Sequence, residues 1–100
     1  MGIRNKELIS STTALSYSQP FNVLGTATLT CSALADGEGV QVQYSNTGSD
    51  YQSLYLNNIL QEITAEHSIL TISGPGKFRV LKSATASPVS VYLWETEGFT

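Results

Sequence analysis

From residue 27 onward, apolar residues recur at every second position over several short stretches. In "TATLTCSAL", Ala27, Leu29, Cys31 and Ala33 alternate with Thr28, Thr30 and Ser32. That period of two marks a strand with one buried face. "VQVQY" repeats the pattern, with Val40, Val42 and Tyr44 on one side. Between them lies "ADGEG", whose Asp-Gly pair is typical of chain reversals, and "SNTGSD" closes the second strand as another turn. "YQSLYL" reads as a strand and the following "NN" as a turn. "SILTIS", "KFRVLK" and "VSVYLW" are three further strands, the last two separated by the small-residue segment "SATASP".

Two segments depart from this rhythm. "ILQEITAEH" reads two ways. Leu56, Ile59, Leu60 and Ile63 fit helical spacing with Asn58 as cap and Glu62 nearby, and the same residues fit a short strand over Leu60–Thr64. The β surroundings and the usual strand length favour the strand. The first twenty residues have poor amphipathic order and end in Pro20, so they read as an extended arm, with edge pairing over Glu7–Leu15. Turn signals every eight to twelve residues then give the architecture. The expected fold is all-β: a single small antiparallel β-sandwich, jelly-roll or Ig-like, over residues 21–100, with an N-terminal arm over 1–20.

Composition narrows the function. A chain of 100 residues buries roughly 60–65% of its unfolded surface, enough for one core and little more. Ser and Thr supply about a quarter of the chain, while the charged residues are five basic and eight acidic, for a net charge of −3. Five cations cannot neutralise the roughly six to ten phosphates of a typical nucleic-acid binder. The lone Cys31 reads as a small buried hydrophobe, which fits synthesis in a reducing cytoplasm. No apolar run approaches a membrane span, and Lys6 stands where a myristoylation signal needs Ser or Thr. Neither nucleic acid nor membrane is expected as a partner.

"GPGK" at Gly74–Lys77 has the look of a phosphate loop, and fails as one. Phe78 occupies the place of the magnesium-binding hydroxyl, Thr71 that of the first glycine, and a β-branched strand follows where a helix is needed. The plain reading is a type II turn, with Pro75 at its second position and Gly76 supplying positive φ. His67 is the only histidine, and no spacing gathers a zinc set around it or builds a nucleophile elbow. Asp36 and Glu38 share the "ADGEG" turn, too short for a calcium loop, and Asp50 comes from a different turn, so neither a calcium site nor a glycosidase pair is expected. No catalytic, cofactor-binding or metal-binding residue is expected, and the chain reads as non-enzymatic.

What remains is surface. If Val89, Val91 and Leu93 face the core, Tyr92 and Trp94 point outward as an interface to protein or sugar; a second sheet covering both faces of the strand would bury them instead. Lys77, Arg79 and Lys82 form the only basic cluster, with Lys77 and Arg79 on one face by alternation. Lys77, Arg79, Lys82, Tyr92 and Trp94 are therefore the candidate interface.

The last sixty residues carry a recognisable pattern. "VQVQYSNTGSDYQSL" resembles the strand–turn–strand of small bacteriophage virion domains, with its V-x-V-Q-x-S start and with Tyr51 in the place of the aromatic after the turn. "LTISGPGKFRVLKSATASPVSVYLW" resembles their closing part, a T-I-x-G-P-G-x-[FY]-R hairpin followed by a small-residue loop and a final V-x-V strand. The resemblance implies a β-sandwich component of a phage particle, foremost a capsid decoration protein on the virion surface. Its implied partners are the major capsid or another virion protein and further copies of itself, a trimer at threefold sites among the options. A tail, fibre or receptor-binding module touching host glycan is the alternative.

Overall fold

The computed structural model describes residues 3–32 and 34–96. Its strands, in chain order, are β1 (Ile3–Thr12), β2 (Ser16–Tyr17), β3 (Phe21–Val23), β4 (Thr26–Cys31), β5 (Gly39–Ser45), β6 (Tyr51–Ser53), β7 (Tyr55–Leu56), β8 (Ile59–Leu60), β9 (Glu62–Thr64), β10 (Ile69–Ser73), β11 (Gly76–Lys82) and β12 (Val89–Thr96). One sheet runs β1-β12-β4-β10. The other runs β2-β11-β5-β6, with β3 also on β11 and β9 also on β5. All pairings are antiparallel. The protein is a small all-β sandwich, as its period-two pattern requires.

Alternation decides what fills the space between the sheets. Ala27 and Leu29 from β4 and Val91 and Leu93 from β12 meet Val40 and Val42 from β5 and Phe78 and Val80 from β11, all buried. Phe21 packs against Phe78 with ring centroids 6.3 Å apart. Cys31 is half-buried at the border of this cluster, and burial raises its thiol pKa.

Three serines close the sandwich by one repeated device. The Ser18 N–H donates to the Val80 carbonyl, and its Oγ accepts from the Val80 N–H, both at 2.9 Å. Ser32 does the same to Ser90, and Ser83 to Gly39. In each pair the short hydroxyl stands in for a carbonyl where regular pairing stops, so no backbone donor is left unpaired there. Part of the high serine content thus has a structural reason.

Several expectations change. Residues 1–20, expected as an arm, supply β1 and β2: β1 pairs with β12 from Ile3 opposite Thr96 to Thr12 opposite Val89, with irregularities on either side of Ile9. Ile9 is buried, so this segment helps cover the core of its own chain. Between residues 56 and 67 the favoured strand reading holds, with β8 and β9 in place of the helical alternative. Asn57 and Asn58 both have positive φ, at 54° and 64°, which is the two-residue turn of a tight hairpin joining β7 to β8. Asn58 is a turn residue here and caps no helix.

The Gly74-Pro75 turn differs most. The Gly74–Pro75 peptide is cis and Gly76 lacks positive φ, so the type II turn expected there is not formed. Nor does the segment join paired strands. β10 lies in one sheet and β11 in the other, so the turn carries the chain across the sandwich. Gly74 is needed for a steric reason: a Cβ there would overlap the backbone carbonyl of Val23. Its N–H donates to the Gly25 carbonyl at 2.6 Å.

Candidate interaction surfaces

Four features of the surface follow from this topology. The first is the outer face of the β2-β11-β5-β6 sheet. On β11, Phe78, Val80 and Lys82 point inward, while Lys77, Arg79 and Leu81 are on the opposite face. Arg79 lies opposite Gln43, and its Nε donates to the Gln43 Oε1 at 2.7 Å. Its guanidinium is stacked between two rings, 4.3 Å from the centroid of Tyr17 and 4.4 Å from that of Tyr51. The rings come from β2 and β6, on opposite sides of the β11-β5 pair, and hold the planar cation in one place. Among the described residues no carboxylate pairs with Arg79 or Lys77. The sequence placed these two cations on one face; the two tyrosines that clamp Arg79 it did not reveal.

Lys82 leaves this cluster. Alternation turns it inward, and its side chain is fully buried, so it presents nothing to a partner. Its Nζ donates to the carbonyls of Ala14, at 3.0 Å, and Ser83, at 2.8 Å. Burial lowers its pKa, and the charge of Glu38 opposes that shift. Glu38 has its own structural task. Its Oε1 accepts from the Ala35 N–H and its Oε2 from the Ala86 N–H, at 2.9 and 2.8 Å. Those two backbone donors, helped by Lys82, hold the Glu38 carboxyl below its ordinary pKa. The pair ties the 35–38 turn and the 83–88 loop to the end of β11.

The second feature is the outer face of the other sheet. Val89, Val91 and Leu93 are buried, so Tyr92 and Trp94 do point outward; Trp94 is 39% exposed. Its Nε1 donates to the Thr30 Oγ1 at 3.0 Å. Pairing sets Trp94 in a row with Asn5, Thr28 and Thr71, and Tyr92 in the next row with Glu7, Thr30 and Ile69. The indole therefore lies on a hydroxyl-rich sheet face, clear of the core.

The third and fourth features are two concavities, one near each end of β5. At the Ser45 end a cavity of about 370 Å³ is bounded by Tyr44, Leu54, Leu56, Ile72 and Phe78, with Lys77 at its edge. Beside it stands the β7-β8 hairpin, whose Tyr55, Leu56 and Ile59 are 58%, 50% and 65% exposed. At the Gly39 end, a groove of about 520 Å³ is lined by Asp36, Glu38, Glu62 and Glu66 together with Leu15 and Leu81. Among the described residues no group of His, Cys, Asp or Glu is arranged to hold a metal ion, and no helix is long and apolar enough to cross a membrane. His67 is exposed in a turn, exchanging backbone hydrogen bonds with Thr64.

No family model matches the sequence, and no curated protein is significantly similar to it. Among solved structures, the SPBc2 prophage-derived protein YomS is similar with a TM-score of 0.73 and 12% sequence identity, over 93% of this chain and 91% of that one. At that identity the likeness is one of fold: two small β-sandwiches that correspond over nearly their whole length.

Proposed function

We propose that the chain is a non-enzymatic structural protein of a bacteriophage particle, a capsid decoration protein that binds the assembled head and stabilises it. It is made in the host cytoplasm and resides on the virion surface. Its partner is the major capsid protein, and several copies associate at the symmetry sites of the lattice. The fold likeness to a prophage-derived protein and the sequence resemblance to phage virion domains both support a phage origin.

The observation that carries the docking mode is the outer face around Arg79. Here a planar cation is fixed between Tyr17 and Tyr51, beside Lys77, on a chain of net charge −3. A guanidinium held in place loses little freedom on binding and matches a carboxylate in two-pronged fashion. Tyrosine and arginine are also the residues that most often dominate protein interfaces. Such a face fits an acidic patch on the capsid exterior. The test is to delete the gene and challenge the particles with heat and osmotic shock. Particles lacking the protein should lose infectivity sooner, with recovery when purified protein is added back. Equal survival of both would refute the decoration role.

One observation favours a second reading, a tail or fibre module that touches host glycan. Trp94 is laid open on a threonine-rich face, an arrangement suited to stacking on a sugar ring. A glycan array with no hits, and Trp94 fluorescence unchanged by any sugar, would remove it.

A further inference from the structure

The two ends of the second sheet carry opposite chemistry. β5 and β11 run antiparallel, so Ser45 lies opposite Lys77 at one end, and Val40 opposite Lys82 at the other. The five steps along β5 separate these ends by roughly 17 Å. Between them, opposite Val42, the β7-β8 hairpin leaves the sheet edge; its Tyr55, Leu56 and Ile59, each at least half exposed, form an apolar knob below the Asn57-Asn58 turn, and Leu56 reaches the cavity shared with Lys77. At the other end the groove holds Asp36, Glu62 and Glu66, with Leu15 and Leu81 also lining it. No cation lines it, because Lys82 is buried with its ammonium spent on the Ala14 and Ser83 carbonyls. Among the described residues none of the three carboxylates has an ion-pair partner.

An apolar knob with a lysine near it and an acidic groove lined also by two leucines, at different places on one molecule, are complementary to each other. We propose that the chain self-associates head to tail, with the β7-β8 hairpin and Lys77 of one copy seated in the Asp36/Glu62/Glu66 groove of the next. The interface is heterologous: each copy offers one knob and one groove. Repetition therefore closes into a ring or continues as a row, and does not stop at a symmetric dimer. Apolar contact with Leu15 and Leu81 provides the burial, and Lys77 facing the carboxylates sets orientation and register. This deepens the particle reading and rests on it for the repeated copies, but the contact is a property of the protein alone.

Sedimentation velocity of the purified chain, at low and high salt, tests it with two variants. Ile59→Asp disables the knob. Asp36→Lys with Glu66→Lys disables the groove. All three positions are exposed, so circular dichroism should show unchanged folding. The wild type should form species beyond dimer as concentration rises, weakening with salt. Each variant alone should weaken assembly at least about tenfold, the effect of losing a central apolar anchor or its charge partners. The decisive result is the mixture. The knob variant keeps its groove and the groove variant keeps its knob, so an equimolar mixture should give a dimer and nothing larger. A wild type that stays monomeric, variants that assemble like wild type, or a mixture that stays monomeric would each overturn the proposal. No capsid enters the experiment, so its failure leaves capsid binding standing, and a failure of capsid binding leaves this contact standing.

Discussion

Ser18→Ala removes one oxygen atom from the seam where β2 gives way to β3. In the native chain that hydroxyl accepts the Val80 N–H at 2.9 Å and donates to the Gln19 carbonyl at 3.0 Å. Val80 is fully buried and Ser18 is 6% exposed, so water cannot replace the lost acceptor. A buried donor left unpaired costs about 1–3 kcal/mol, and for a domain of this size each kilocalorie corresponds to about 4–8 °C in Tm. Ser32→Ala and Ser83→Ala remove the same device at seams that are only partly buried. Their cost should be smaller, because Ser32 is exposed and Gly39 and Ser83 are only half-buried. Urea and thermal unfolding of the three variants, with exposed Ser10→Ala as control, should rank Ser18→Ala as the most damaging. If it unfolds within about 0.5 kcal/mol of wild type, the ordinary scatter of surface substitutions, the hydroxyl does not complete the backbone pairing as described.

Other expectations follow from single residues. Gly74→Ala should destabilise by about 1–3 kcal/mol, as overpacking does, because its methyl meets the Val23 carbonyl. Gly25→Ala, with open space around the added carbon, should be neutral or stabilising by about 0.4–1 kcal/mol; equal melting of the two would refute the steric account. Tyr51→Phe removes a buried hydroxyl that has no hydrogen-bond partner while keeping the ring under Arg79, so chemical denaturation should find it at least as stable as wild type. The pH dependence separates the two linked charges. Glu38 has a lowered folded pKa, so its contribution is present above the ordinary value of 4.5 and lost as pH falls through the folded value. The stability difference between wild type and Glu38→Gln should shrink through that acid range. Lys82 also has a lowered folded pKa, so between that value and 10.5 the unfolded chain binds more protons and native stability rises with pH. Wild type should therefore gain on Lys82→Met across that alkaline window, and a flat or falling difference would contradict the burial of a charged ammonium.

Much of the fold could be read along the chain because period two is a local signal. It located β4, β5, β11 and β12 and set Tyr92 and Trp94 on the face opposite Val89, Val91 and Leu93, leaving open whether a second sheet covered them. The same alternation, followed through Phe78 and Val80, also turns Lys82 inward; the residue's charge argued for the surface, and two carbonyls at the end of the sandwich outweighed it. The Gly74-Pro75 turn was legible as a turn, but not as a passage between sheets, since that depends on which strands β10 and β11 select as neighbours. The Arg79 clamp was hidden for a related reason. Tyr17 and Tyr51 lie far from Arg79 in sequence, and only the placement of β2 and β6 on either side of the β11-β5 pair brings the three together. β1 lacks a clean alternation because irregularities around Ile9 shift its register, so the sequence showed only an arm with edge pairing over Glu7–Leu15 and not the longer edge strand that begins at Ile3.

In the proposed function this sandwich attaches to an assembled phage head through the cationic face of β11. Co-sedimentation of the purified protein with capsids lacking it measures this directly, using wild type and an Arg79→Glu variant, which leaves Lys77 in place and whose fold is checked by circular dichroism. Wild type should bind saturably, and binding should fall at least about tenfold in the variant, the consequence of replacing an anchored arginine with the opposite charge. Failure of the wild type to bind would contradict decoration of the head, and undiminished binding by the folded variant would contradict the face assigned to it.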